Sequence, residues 1–132
     1  MAERILQLLP GADAPRQARA FVRGRLRGVL DGDALEDALL LASELVVTRL
    51  GTGAPDPDRR ISVVLRCDDD AVVCRVSDSG RAPGVEDPWW PPDGHGANRL
   101  RLLDLLSAAW GVEPGPPLGV WFTVRPAAAG AA

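Results

Sequence analysis

Few side chains in this chain are of a type that does chemistry. All 15 basic residues are Arg and none is Lys, which removes the side chain that P-loop proteins set on phosphates. The single His is His95. Cys67 and Cys74 lie on the apolar alternation of neighbouring β-like runs and read as buried thiols of a reducing compartment. A metal site would need more Cys or His beside them. Three stretches remain where acidic, hydroxyl or glycine residues meet the end of a regular run: SELVVTRLGTG (43–53), VSDSGRAPG (76–84) and GHGANR (94–99). In the first, Glu44 and Thr48 are one helical turn apart and share a face. Arg49, next to Thr48, brings positive charge to the end of this run unless it turns to water. In the second, Asp78 by itself reads as the turn-initiating Asp of Asp-Ser-Gly. Asp68 to Asp70 read as a solvated turn.

These stretches need elements to position them, and the patterning supplies those. ERILQLLP (3–10) is a short, weakly alternating strand stopped by Pro10. Asp13 caps a helix from about Ala14 to Leu30, with Ala18, Phe21, Val22, Leu26 and Val29 as its apolar stripe and the arginines facing water. Asp31 to Asp33 break that helix and start a second. Leu35, Ala38, Leu39, Leu41, Ala42, Leu45, Val46 and Leu50 make the second helix apolar over much of its circumference, so it must be buried against a sheet. Gly51 and Gly53 end it. ISVVLRC (61–67) and AVVCRVSD (71–78) form a β-hairpin, with Ile61, Val63, Leu65 and Cys67 on one face of the first strand and Val72, Cys74 and Val76 on one face of the second. Residues 79–96 have no period and are rich in Pro and Gly, a length that points to function or disorder. ANRLRLLDLLSAAW (97–110) reads as a third helix and LGVWFTVRP (118–126) as a last strand. The expected fold is α/β, a two-layer sandwich of three helices over a mostly antiparallel sheet, in one domain of residues 1–126 with a frayed tail at 127–132.

The bulk numbers fit that picture. A chain of 132 residues that is 46% hydrophobic and 25% charged buries a real core. A net charge of −3 gives no general pull toward nucleic acid. No signal-peptide-like segment and no membrane-spanning apolar run is present in these residues, so a cytoplasmic protein with no membrane partner is expected.

The element order, with the residues that occupy it, resembles the GHKL ATPase domain of gyrase B, the histidine kinases and MutL. Within that superfamily it is most similar to the small anti-sigma-factor serine kinases numerous in actinobacteria. The likeness runs from ADAPRQAR (12–19) to VWFTV (120–124). In such proteins a Ser-Glu-Leu-Val-x-Asn motif supplies a Glu that orients or deprotonates the attacking group and an Asn that binds Mg²⁺. Here Ser43, Glu44, Leu45 and Val46 match, while Thr48 holds the Asn slot and Arg49 the Ala slot after it. The Asp-x-Gly-x-Gly box, whose Asp accepts from the adenine amino group, corresponds to Asp78, Gly80 and Ala82, the last replacing a Gly. The phosphate-cradling Gly-x-Gly corresponds to Gly94 and Gly96, shifted upstream of the expected slot at Ala97-Asn98-Arg99. Arg99 or Arg101 would meet a phosphate or, in the plainer reading, are solvated. The family's Thr at the start of the final strand has no counterpart in Pro117-Leu118-Gly119, and Thr123 lies too far along.

The resemblance thus implies ATP and Mg²⁺ as cofactors, while the changed positions imply that binding is weak or lost. Loss of a metal ligand affects phosphoryl transfer more than base recognition. Trp89 and Trp90, side by side in the Pro-rich loop, read either as an anchor for a partner protein or as inward plugs or caps. Trp110 and Trp121 read as core. Two functions follow as expectations. The first is a regulatory protein-interaction domain that binds a sigma factor or a STAS-domain antagonist. The second is an active ATP-dependent serine kinase acting on a STAS-type anti-anti-sigma factor, with Glu44 as its base. A homodimer is compatible with either.

Overall fold

The computed structural model describes residues 3–50, 57–68, 71–79, 96–113 and 118–126, with only the backbone described at 96–100 and 118. The elements run β1 (Arg4–Leu8), α1 (Ala14–Leu26), α2 (Gly32–Leu50), β2 (Ile61–Cys67), β3 (Val72–Asp78), α3 (Gly96–Leu106), β4 (Ala109–Glu113) and β5 (Leu118–Val124). The five strands form one open sheet in the order β1-β2-β3-β5-β4, and every neighbouring pair is antiparallel.

Side-chain alternation decides which face of the sheet is covered. Ile61, Val63 and Leu65 of β2 are paired or alternate with Val72, Cys74 and Val76 of β3, and Val120, Phe122 and Val124 of β5 continue the same buried face. All three helices lie on this side. α2 packs on β2, β3 and β5; α1 packs on α2 and β1; α3 packs on α2 and β4. α2 sits centrally because Ala38, Leu39, Leu41, Ala42, Leu45 and Val46 are all buried. Each fully buried Leu among them contributes roughly 1.5–3 kcal/mol of transfer free energy. The other face of the sheet is open, and Ile5, Val64, Val73, Trp121 and Thr123 line a shallow groove there.

Two boundaries and one cap differ from the sequence expectation. α1 ends at Leu26 rather than Leu30, and the chain tightens there, with Val29 N–H donating to Leu26 O at 2.8 Å. Val29 therefore leaves the apolar stripe and is exposed, while Leu30 still reaches the core. Asp13 precedes α1 but makes no side-chain cap; its carboxylate accepts from Arg16 instead. Gly32, the first residue of α2, takes φ +53°, a conformation that a side chain would strain.

The third difference is a whole strand. α3 stops at Leu106, and Ala109–Glu113 pairs with β5 rather than continuing the helix to Trp110. Ala108 N–H donates to Thr123 O at 2.8 Å, and Trp110 lies opposite Phe122, partly buried on the core. The Trp110 indole N–H donates back to Asp104 Oδ1 at 2.7 Å, tying the strand to the helix before it. On the open face Gly111 lies under the Trp121 indole. A Cβ there would come within 2.7 Å of Nε1, so the close approach requires glycine.

Candidate functional site

Two of the polar residues singled out by their types, Arg49 and Asp78, meet at one end of the sheet, beneath the C-terminus of α2, where Arg59 joins them. Asp78 is the last residue of β3 and continues the inward alternation of Val72, Cys74 and Val76, so its carboxylate enters the core rather than a turn. Its side chain is 0% exposed. Arg49 continues the buried stripe of α2, four residues after Leu45, and is only 1% exposed. Arg59 stands two residues before Ile61 on the inward face that β2 then continues, and it too is buried.

These three side chains form one buried ionic cluster. Arg49 Nε donates to Asp78 Oδ2 at 2.7 Å. Arg59 grips the same carboxylate with a fork, Nε to Oδ1 at 3.0 Å and Nη2 to Oδ2 at 2.7 Å. Fork geometry of this kind makes a strong charge-assisted pair. Arg59 Nη2 also donates to the backbone carbonyl of Arg49 at 2.6 Å, satisfying one of the carbonyls that the end of α2 leaves open. The cluster thus joins the C-terminus of α2 to the entry of β2 and the exit of β3. Just outside it, Ser79 extends the β2–β3 ladder: its N–H donates to Arg60 O and its hydroxyl accepts from Arg60 N–H at 2.8 Å.

The α2 motif residues have committed geometry. Thr48 is buried, and its hydroxyl donates to the Glu44 carbonyl one turn earlier at 2.8 Å. This is back-bonding to the helix itself. Ser43 likewise donates to the Leu40 carbonyl at 3.0 Å. Glu44 is half-buried on the same side of the helix. Arg49 turns inward, not to water, and its charge meets Asp78 directly. A cation at the Thr48 slot would have to reach a hydroxyl oxygen that is only 2% exposed. An adenine amino group would face a carboxylate already gripped by two guanidinium groups.

α3 begins at Gly96, so this glycine of the Gly-x-Gly pair stands at a helix N-terminus. Gly80, Ala82, Trp89, Trp90 and Gly94 lie outside the described residues. Thr123 is on the open face of the sheet, opposite the side that holds Asp78. Among the described residues no group of three or more His, Cys, Asp or Glu side chains could hold a metal ion. No described helix is long and apolar enough to cross a membrane.

Sequence reasoning missed Arg59 and the destination of Arg49. The signal was present in both cases. Arg49 falls on the i+4 row of Leu41 and Leu45, and Arg59 falls on the alternation of Ile61 and Val63. Basic residues at apolar register positions call for a buried acid, and Asp78 at the end of the third such row supplies it. Cys74 is fully buried, which pushes its thiol up to about 12, and Cys67 is raised mainly by burial as well. Both are free thiols. No protein-family model and no curated protein matches the chain, so what it does must be read from this geometry.

Proposed function

We propose that this chain is a regulatory protein-interaction domain on a GHKL-type scaffold, with nucleotide binding weak or lost. One observation carries the reading. Asp78, which the resemblance assigns to adenine, is fully buried with Arg49 and Arg59 on its carboxylate. Freeing it would strip two guanidinium groups of their carboxylate partner inside the core, a rearrangement that costs several kcal/mol. The burial of the Thr48 hydroxyl supports the same reading on the metal side. Apart from the added strand β4, the elements follow the expected order, which supports a scaffold that offers a surface to a sigma factor or a STAS-domain antagonist.

Calorimetric titration of the full chain with Mg-ATP and Mg-ADP tests the proposal. The expected result is no saturable binding tighter than about 1 mM, or roughly −4 kcal/mol. Micromolar binding that Asp78→Asn abolishes, in a variant shown to stay folded, would favour the serine kinase instead.

A further inference from the structure

One surface of the molecule has a charge quite unlike the rest. Residues 14–27 contain five arginines and no acidic residue. Removing those five from a net charge of −3 leaves −8 on the remainder of the chain. Arg25 leaves the group by packing over the Phe21 ring at 5.8 Å. Arg16, Arg19, Arg23 and Arg27 are all exposed and, with Ala20 and Gly24, line a shallow groove of about 610 Å³ along the outer face of α1. Arg16 pairs with Asp13 at 3.0 Å. Among the described residues the side chains of Arg19, Arg23 and Arg27 have no hydrogen-bond or ionic partner.

Helix stability does not explain this stripe. Arg19–Arg23 and Arg23–Arg27 are like-charge pairs at i,i+4, which destabilise a helix. The helix dipole favours Arg23 and Arg27 near the C-terminus but disfavours Arg16 and Arg19 near the N-terminus. The two residues between the arginines are small. Ala20 and Gly24 leave the helix backbone accessible, and a Cβ added at Gly24 would meet nothing within 4 Å. A row of guanidinium forks around a small-residue floor fits a rod that carries carboxylates on its flanks.

We propose that the outer face of α1 docks an acidic helix of a partner protein. This rests on the interaction-domain reading and deepens it by naming the surface and the partner chemistry. Charge complementarity selects the occupant. The stripe from Arg16 to Arg27 is only about 16 Å long. A nucleic-acid duplex or an anionic membrane extends past it on every side and meets the −8 body. A single helix covers the stripe and little else. Its glutamates or aspartates at i,i+4 spacing match the Arg19, Arg23 and Arg27 row.

The test uses the full chain and a fluorescently labelled helical peptide of about 18 residues, roughly 27 Å long. Its glutamates stand four apart on one face with alanines between them. A second peptide of the same composition scatters the glutamates around the helix. A DNA duplex and phosphatidylglycerol vesicles form two further arms. The patterned peptide binds, more weakly as added salt shortens the Debye length below its physiological value of about 8 Å. Arg19→Glu with Arg23→Glu weakens binding by about tenfold or more, the loss expected when rim charges change sign. Gly24→Leu keeps every charge, fills the groove floor and weakens binding as well. Circular dichroism confirms that both variants stay folded. Three results overturn the proposal: no difference between the two peptides, including no binding of either; binding that survives the charge reversal; or tighter binding to duplex or vesicles than to the patterned peptide. Failure here with no Mg-ATP binding leaves the interaction-domain reading standing and moves the surface elsewhere. Micromolar Mg-ATP binding removes that reading whatever the peptide does.

Discussion

Replacing Asp78 by Asn preserves the shape of the side chain and removes the charge that two buried arginines share. The site has no solvent to compensate, since Asp78 and Arg49 are 0% and 1% exposed and Arg59 is 7% exposed. Removing one partner from a buried ionic group costs about 3–5 kcal/mol, because the remaining charge stays desolvated. A domain has only about 5–15 kcal/mol of stability in total. With a urea m-value in the usual range of ~1–3 kcal/mol/M, the unfolding midpoint should fall by roughly 1–5 M. The protein carries its own control. Arg75 and Glu113 form a 2.6 Å pair across the open face with side chains 35% and 43% exposed. Solvent screening limits such a pair to about 0–1 kcal/mol, so Glu113→Gln should shift the midpoint little. Molar salt should erase that small effect and leave the Asp78→Asn loss nearly intact. A midpoint change for Asp78→Asn no larger than that for Glu113→Gln refutes the cluster as the clamp of α2 on the sheet. It would also return Asp78 to the list of carboxylates available to a ligand.

Other perturbations test other parts of the molecule. The chain has no Tyr and no Lys, so its two thiols dominate titration between about pH 9 and 12. Burial raises Cys74 from 9.0 to about 12, so the folded state holds a proton that the unfolded state loses. The stability this gives is complete below pH 9 and falls as pH rises toward 12, by up to ~1.4 kcal/mol per pH unit. Urea midpoints from pH 8 to 11 should show that slope, and Cys74→Ala should leave only the smaller slope of Cys67; an unchanged slope contradicts the assignment. Gly111→Ala places a methyl 2.7 Å from Trp121 Nε1, and the overpacking should cost about 1–3 kcal/mol in thermal or urea unfolding. Thr48→Val removes only a hydroxyl that serves the Glu44 carbonyl, so stability should change by about 1 kcal/mol or less. The heats of an Mg-ATP titration should be identical before and after that substitution, whereas a difference would make Thr48 a ligand.

The helices and the central hairpin were legible because their signals are local and periodic. The apolar surface of α2 and the alternation of β2 and β3 are written within single elements, and burial follows from them. β4 was not legible. Ala109–Glu113 carries no strong strand pattern of its own, and its partner, β5, lies further along the chain. Periodicity instead extended the helix through Trp110, and only the ladder to β5 and the contact with Phe122 overrode it. α1 was overextended for a similar reason, since Val29 fits a helical stripe in sequence but lies past the tightened last turn.

The site divides along the same line. Sequence alone determined that Glu44, Thr48 and Asp78 stand at the ends of a buried helix and a buried strand, and that Thr48 and Arg49 fill positions where the resembled family has other residues. It left open whether Arg49 turned to water. Tertiary structure decided that, by bringing the ends of α2 and β3 and the approach to β2 to one place where 29 and 19 residues of chain separate the partners. A charge on an apolar register position has to find an opposite charge when the element is buried, because leaving it alone in the core costs far more than any local preference. The partner is chosen by which chain ends the fold makes adjacent. That choice placed Asp78, which reads in the sequence as a turn residue or a base contact, between two buried guanidinium groups.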